Sequence, residues 1–264
     1  MIYYRGGSKE LRITILGAGS ILPTKERFSS GILLESGELG KVLLDIGPGT
    51  LEKLREMGVD PGEIKRVFVT HLHVDHVLDL LALIKIKAYL PERRLAIYGP
   101  RGISEWLNLL TTDDKLFGYL SRMGCKDYLD VHECWETSTT IENGIKLSTT
   151  PVEHFNGIAY RLDFLGGISL TYSGDTVPDD RLIDLARGSR ILIHECSLPS
   201  DKMRGKHTSD EDLVEIVREL QPEILIVVHL YPEMEKRVDV LREKLRSAFA
   251  GKIYIPRDLT TIEV

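Results

Sequence analysis

The stretch that most constrains this chain is Arg66–Leu80, RVFVTHLHVDHVLDL. Its opening, Val67-Phe68-Val69-Thr70, is apolar and largely β-branched, which predicts a buried strand. From Val74 onward, Val77, Leu78, Leu80, Leu81, Leu83 and Ile84 fall on one side of a helix. Between strand and helix stand His71, His73, Asp75 and His76, so three of the chain's eight histidines share one loop. Imidazoles and a carboxylate crowded at the carboxyl end of a strand make a metal-binding constellation. In an extended turn His71 and His73 point to the same side. Asp75 and His76 lie past the bend and are expected to face a second ion from the other side.

Four ligands from one loop cannot complete two coordination spheres. Further donors stand just after apolar strands: His154 behind Ile145–Pro151, Asp175 behind Ile168–Tyr172, and His229 behind Ile224–Val228. Asp45 opens the turn Asp45-Ile46-Gly47-Pro48-Gly49-Thr50. It reads equally as a turn cap and as an acceptor for the remote N–H of a ligand histidine. His132 and His194 read as structural.

The rest of the chain is strands first, then strands alternating with helices, twice over. Strands are expected at Leu11–Leu16, Ser30–Glu35, Lys41–Asp45, Arg94–Tyr98, Val131–Ile141 and Ile145–Pro151. Ile158–Phe164 and Ile168–Tyr172 form a hairpin, and Ile191–His194, Ile224–Val228, Lys252–Ile255 and Thr260–Val264 follow. Helices are expected up to about Met57 and from Ile103 to about Leu120, with Trp106, Leu109, Leu110 and Phe117 as the apolar side of the latter. More follow at Asp180–Ala186, at Asp210–Leu220 with Ser209 as its cap, and at Glu233–Ala248. The Gly17-Ala18-Gly19 turn is not a dinucleotide loop, because Leu22 stands where the third glycine belongs and Pro23 follows. The piece Gly102–Met123 reads as outer packing rather than a lid. Lys85, Lys87, Arg93 and Arg94 read as a solvated face. No Ser/Pro-rich linker divides the chain, so residues 1–264 read as one domain of two similar halves. Two sheets stacked face to face with helices outside would bury both sets of apolar strands, with the site along the edge where strand ends meet.

With 264 residues and 42% apolar side chains the chain can bury a proper core. A formal charge of −6 argues against a nucleic-acid binder held by a broad basic surface, but not against an enzyme whose metals meet a phosphodiester directly. Cys125, Cys134 and Cys196 are odd in number and not closely paired, which points to a reducing cytosol. The opening MIYYRGGSKELRITIL lacks a signal-peptide shape and no stretch spans a bilayer, so a cytoplasmic protein with no membrane partner is expected. One Gln, three Asn and 28% charged residues suit a thermophile's protein.

The run His-x-His-x-Asp-His at residues 71–76 resembles the signature of the metallo-β-lactamase superfamily. That resemblance implies an α/β fold, a four-layer αββα sandwich of the metallo-β-lactamase type. It gives one ion to His71, His73 and His154, the other to Asp75, His76 and His229, with Asp175 bridging. Such nitrogen-rich spheres suit two Zn²⁺ ions, with Mn²⁺ or Fe²⁺ as substitutes. ITILGAGSILPTKERFSSGILL, LLDIGPGT, LAIYGPRG, TYSGDT and LIHECSL followed by KHTSDE resemble the tRNase Z-like branch over nearly the whole chain. There the resemblance implies that Glu195 and His207 pair beside the metals and donate a proton to the leaving alkoxide. The catalytic set is then Asp75, Glu195 and His207.

Two departures set this chain apart from true tRNA 3′-processing enzymes. Only Phe155–Gly174 lies between His154 and Asp175, so the Gly/Pro-rich arm that grips tRNA is absent, and Pro48 stands where that branch commonly has Glu. The expectation is a dinuclear phosphodiesterase using a metal-bridging hydroxide on a small-molecule or RNA phosphodiester. The alternatives are a tRNase Z-type RNA endonuclease, or a hydrolase of a sulfate ester, lactone or thioester. A non-catalytic scaffold is disfavoured by the intact ligand set. A diiron redox protein is disfavoured because it would place Glu where His73 stands. The branch further implies a homodimer.

Overall fold

The computed structural model describes residues 10–115 and 117–264. Residues 1–9, where no signal peptide is expected, and residue 116, inside the expected Ile103–Leu120 helix, lie outside the described residues.

Six strands come first: β1 (Arg12–Gly17), β2 (Gly31–Ser36), β3 (Gly40–Ile46), β4 (Ile64–Phe68), β5 (Leu95–Gly99) and β6 (Leu129–Glu133). Then follow β7 (Ser138–Thr140), β8 (Lys146–Pro151), β9 (Ile158–Asp163), β10 (Ser169–Tyr172), β11 (Ile191–Glu195), β12 (Ile224–Val228) and β13 (Lys252–Tyr254), and β14 (Thr260–Glu263) closes the chain. They form two seven-stranded sheets, ordered β14-β1-β2-β3-β4-β5-β6 and β13-β12-β11-β10-β9-β8-β7. Each sheet has an antiparallel part and a parallel run, β3 to β6 in one and β10 to β13 in the other. The last strand returns to pair antiparallel with β1, Ile13 opposite Ile262.

Alternation along the strands builds the layers. On β5, Tyr98 faces the space between the sheets, while Leu95 and Ile97 face the helices. Phe68, Tyr160 and Tyr172 join Ile15, Leu34 and Leu170 in the central core. Outer cores lie beneath the helices over each sheet, with a smaller one of Val152, Ala159 and Leu182 under the helix Asp180–Ala186. The expected αββα sandwich is the fold observed.

Several local expectations are corrected. The helix after the metal loop breaks into Val74–Val77 and Leu80–Ala88, and Leu78 is 46% exposed. The break lies at Asp79, whose N–H donates to Ile46 O (3.1 Å) and whose carboxylate accepts from Leu51 N (3.1 Å). The single helix expected from Ile103 becomes Ile103–Thr112 and Gly118–Arg122. Asp113 leaves the helical region and its carboxylate takes the Lys115 N–H into a turn. Its buried side is Ile103, Leu107 and Thr111 rather than the side carrying Leu109, which is exposed. That face packs into the outer core, as expected for outer packing.

The expected strand Val131–Ile141 is two strands, because after β6 the chain crosses from one sheet to the other before β7. Glu233–Ala248 is interrupted at Arg237, which pairs with Asp201 (2.6 Å), giving Pro232–Glu235 and Val238–Ala248. Lys87 is not on a solvated face. Its stem is buried and its ammonium donates to Gly62 O (2.7 Å). Asp210–Leu220 has the expected cap, and Asp212 completes a capping box with Ser209. No helix among the described residues is long and apolar enough to cross a membrane.

Candidate metal centre

The site forms where strands of both sheets end. The loop after β4 carries His71 and His73, and the short helix behind it carries Asp75 and His76. His154 follows β8, Asp175 follows β10, Glu195 ends β11 and His229 follows β12. Parallel strands send their carboxyl ends to one side, so residues far apart in the chain meet there. Gly47 lets the loop close: a Cβ on it would stand 1.9 Å from Asp75 O.

The structure brings every expected ligand together. His71, His73, His154 and Asp175 offer ligand atoms within 4.8 Å of one another, and so do Asp75, His76 and His229. Asp175 lies between the sets. Its Oδ2 is 3.2 Å from His229 Nε2, 3.4 Å from His76 Nε2, 3.8 Å from His71 Nε2 and 3.9 Å from His154 Nε2. Asp75 Oδ2 lies 3.5 Å from His229 Nε2 and 3.8 Å from His76 Nε2. All but His73 are buried. Nε2 of His71, His76 and His229, with Asp175 Oδ1, have no hydrogen-bond partner. Buried polar atoms left unpaired are costly, and here they converge on common points, which fits divalent cations as their partners.

The opposite ring nitrogens are held. His76 Nδ1 donates to Asp45 Oδ2 (2.8 Å), and His154 Nδ1 donates to Lys206 O (2.7 Å). Thr70 Oγ1 donates to Asp45 Oδ2 (2.9 Å), which leaves it accepting from His71 Nδ1 (3.0 Å). Ser197 Oγ donates to Glu195 Oε2 and accepts from His229 Nδ1 (2.9 Å). Each of these four imidazoles thus donates from Nδ1 and turns Nε2 inward, where it can ligate once it carries no proton.

Of the two readings left open for Asp45, the structure supports the acceptor. Besides His76 and Thr70 Oγ1, its carboxylate takes Thr70 N (2.7 Å) and Tyr172 O–H (2.8 Å). Sequence reasoning missed Thr70, Ser197 and Tyr172. The first two had a signal: Thr70 precedes the first loop histidine, and Ser197 lies two residues past Glu195.

Charges set the protonation. Burial, reinforced by His76, holds the His71 imidazole well below its usual pKa, in the neutral form that ligates. Burial opposes a charge on His76, but Asp175 and Asp45 outweigh it and lift that pKa well above the usual range, so a cation bound there would displace a proton from its Nε2. Burial works against a charge on Asp175 too, yet His229 and His76 keep its carboxyl well below the ordinary value.

Beside this cluster stands the expected acid–base pair. His207 Nδ1 is 3.1 Å from Glu195 Oε1, which also accepts Thr176 N (2.6 Å). Burial alone would lower the His207 pKa, but the hydrogen bond and charge of Glu195, helped by Asp175, raise it. The His207 ring lies 5.4 Å from that of His229 and 5.1 Å from that of His154, so it borders both ligand sets. Of the histidines read as structural, His194 is buried with Nδ1 donating to Glu195 O (2.8 Å), and His132 stacks on Tyr98 (4.6 Å).

A family model described as "Anti-Pycsar protein Apyc1" matches residues 11–252. A ribonuclease Z of Methanothermobacter thermautotrophicus is 29% identical, over 96% of this chain and 97% of that one. A ribonuclease Z of Pyrococcus horikoshii is 31% identical, over 96% of each. The crystal structure of the metallo-β-lactamase fold protein YhfI from Bacillus subtilis shares the fold, with a TM-score of 0.80 at 21% identity, covering 97% of this chain and 100% of that one. The first alignment runs over 309 positions against 264 residues here, so that relative carries residues this chain lacks.

Proposed function

The chain belongs to the family described as anti-Pycsar protein Apyc1, in the tRNase Z-like branch of the metallo-β-lactamase superfamily, and on that footing we propose a two-metal phosphodiesterase. Its class is the metal-dependent hydrolases of phosphodiester bonds. One observation carries the finer reading: Asp175 stands between two ligand sets, beside the His207–Glu195 pair.

His71, His73 and His154 would hold one cation, and Asp75, His76 and His229 the other, with Asp175 shared. Nitrogen-rich donors completed by carboxylates suit Zn²⁺, with Mn²⁺ or Fe²⁺ as substitutes. Such a pair, when bound, supplies a water acidified to near neutral pH and positive charge for a phosphoryl oxygen. The chain's own groups do the rest. Asp45, Thr70, Ser197 and the Lys206 carbonyl hold the imidazoles in register. Glu195 holds His207 by Nδ1, which leaves a proton on Nε2 for the leaving alkoxide. Asp75 is both ligand and catalytic carboxylate, facing His229 and His76.

Hydrolysis of bis(p-nitrophenyl) phosphate by the Zn²⁺-loaded protein, abolished by chelator and restored by metal, tests the activity. Elemental analysis showing two cations per chain tests the count. No metal-dependent turnover refutes the reading.

A second reading, a tRNase Z-type RNA endonuclease, is favoured by the names of the archaeal relatives. Against it, the segment between His154 and Asp175 is no more than a tight turn and the β9–β10 hairpin. Cleavage of a pre-tRNA 3′ trailer separates the two. Residues 1–264 are read as one unit, because both sheets contribute ligands. A homodimer is carried by the branch alone. A cytoplasmic setting is supported by three free, buried cysteines. A thermophilic origin is supported by surface pairs such as Arg190–Glu223 and Arg187–Glu219.

A further inference from the structure

Phe155 is 80% exposed, more than any other large apolar side chain among the described residues. It directly follows His154, and its ring centroid lies 5.1 Å from that of His73. His73 is the least covered residue of the two ligand sets, so the mouth of the site opens on its side. The turn that presents Phe155 is built against backbone preference. Phe155 has φ +29° and Asn156 φ +57°, both in the left-handed region that a Cβ disfavours.

The turn is also pinned. Gly157 N–H donates to His154 O, Val152 N to Gly157 O (2.9 Å), and Ile158 N to Thr70 O in the metal loop (3.0 Å). A Cβ on Gly157 would stand 2.6 Å from His154 O. The backbone that presents this exposed ring is fixed by those bonds in a disfavoured conformation beside a site residue, an arrangement that clusters at functional sites. Beside His229 stand His207 and Tyr231, with the Arg204 guanidinium 5.4 Å from the Tyr231 ring.

We infer that Phe155 is a substrate-contact residue that stacks on a flat ring carried by the phosphodiester, beside the His73 edge of the site. This rests on the hydrolase reading for its substrate, but its test is a binding measurement. Zn²⁺-loaded protein is titrated calorimetrically with phenylphosphonate and with methylphosphonate, which share the anionic head and differ in the ring. The wild type should favour phenylphosphonate about fivefold to a hundredfold, the range of aromatic stacking on a ring. Phe155→Ala should erase that preference and leave methylphosphonate affinity and zinc content unchanged. Phe155→Trp should keep the preference, and Phe155→Leu, apolar but without a flat face, should lose most of it. In turnover of bis(p-nitrophenyl) phosphate, Phe155→Ala should raise KM and spare kcat.

A preference that survives in Phe155→Ala overturns the inference. So does equal weakening of both ligands, or a change in oligomeric state on sedimentation without loss of the preference; those results would make Phe155 a prop for His73 or a dimer contact. If the wild type binds with the ring preference but turns over no phosphodiester, the hydrolase reading fails and the ring platform stands.

Discussion

The Asp45 carboxylate is the most exposing place to test the metal reading, because it touches no expected metal position yet fixes a ligand. It accepts four donors: Thr70 N, Thr70 Oγ1, Tyr172 O–H and His76 Nδ1. Asp45→Asn keeps the volume and turns one oxygen into an NH₂ group. The Thr70 backbone N–H cannot reverse, so the remaining oxygen must stay on it, and the NH₂ must face His76 and Tyr172. Tyr172 can rotate its hydroxyl to accept. His76 must then accept at Nδ1, which moves its proton to Nε2, the atom that faces Asp75 and Asp175.

A protonated Nε2 cannot ligate, so the variant either forfeits the His76 ligand or endures donor facing donor. Loss of such an orienting partner typically costs 10–100-fold in metal affinity, about 1.4–2.7 kcal/mol. The assay is Zn²⁺ titration of metal-stripped protein against a chromophoric chelator. The wild type should bind with two affinities, and Asp45→Asn should weaken one of them. Tyr172→Phe removes a donor from the same oxygen but leaves the His76 bond and its tautomer intact, so it should weaken Zn²⁺ binding less than Asp45→Asn does. Wild-type zinc affinities in a folded Asp45→Asn, checked by circular dichroism, would show that Asp45 does not set the His76 tautomer.

Other outcomes follow from the same geometry. His207→Ala should lower kcat about 10²–10⁴-fold with zinc content unchanged, as expected for loss of a general acid; a matching loss of metal would reassign it as a ligand. Because His207 acts protonated and Glu195 raises its pKa, kcat should fall as pH rises through that lifted value, and Glu195→Gln should move the alkaline limb to lower pH. Ser197→Ala should weaken zinc binding and Ser197→Thr should restore it, since the hydroxyl joins His229 Nδ1 to Glu195; equal affinities would remove Ser197 from the site. Ser209→Ala, which breaks the capping box of Asp210–Leu220, should cost about 1 kcal/mol in denaturant unfolding and leave turnover untouched.

The sequence by itself carried the fold and the residues that cluster at the site, because both rest on local pattern. Apolar runs such as Ile224–Val228 declare strands whichever sheet they join, and a histidine or aspartate just past each run is placed at a strand end. Helices with matching cap and periodicity, Asp180–Ala186 and Asp210–Leu220, were legible to the residue. Where a long-range bond interrupts a local pattern, the reading failed: Asp79 reaching to Ile46 and Leu51, Arg237 to Asp201, and the crossing between sheets after β6.

Tertiary structure alone decided the hydrogen bonds behind the ligands. Whether Asp45 capped its turn or held His76 depended on a contact spanning 31 residues, and the Tyr172 bond to it on one spanning 127. Ser197 and Thr70 likewise acquire their roles only when their hydroxyls stand between a ring nitrogen and a carboxylate. A hydrogen bond is set by distance and direction in space, and neither is written in the order of residues.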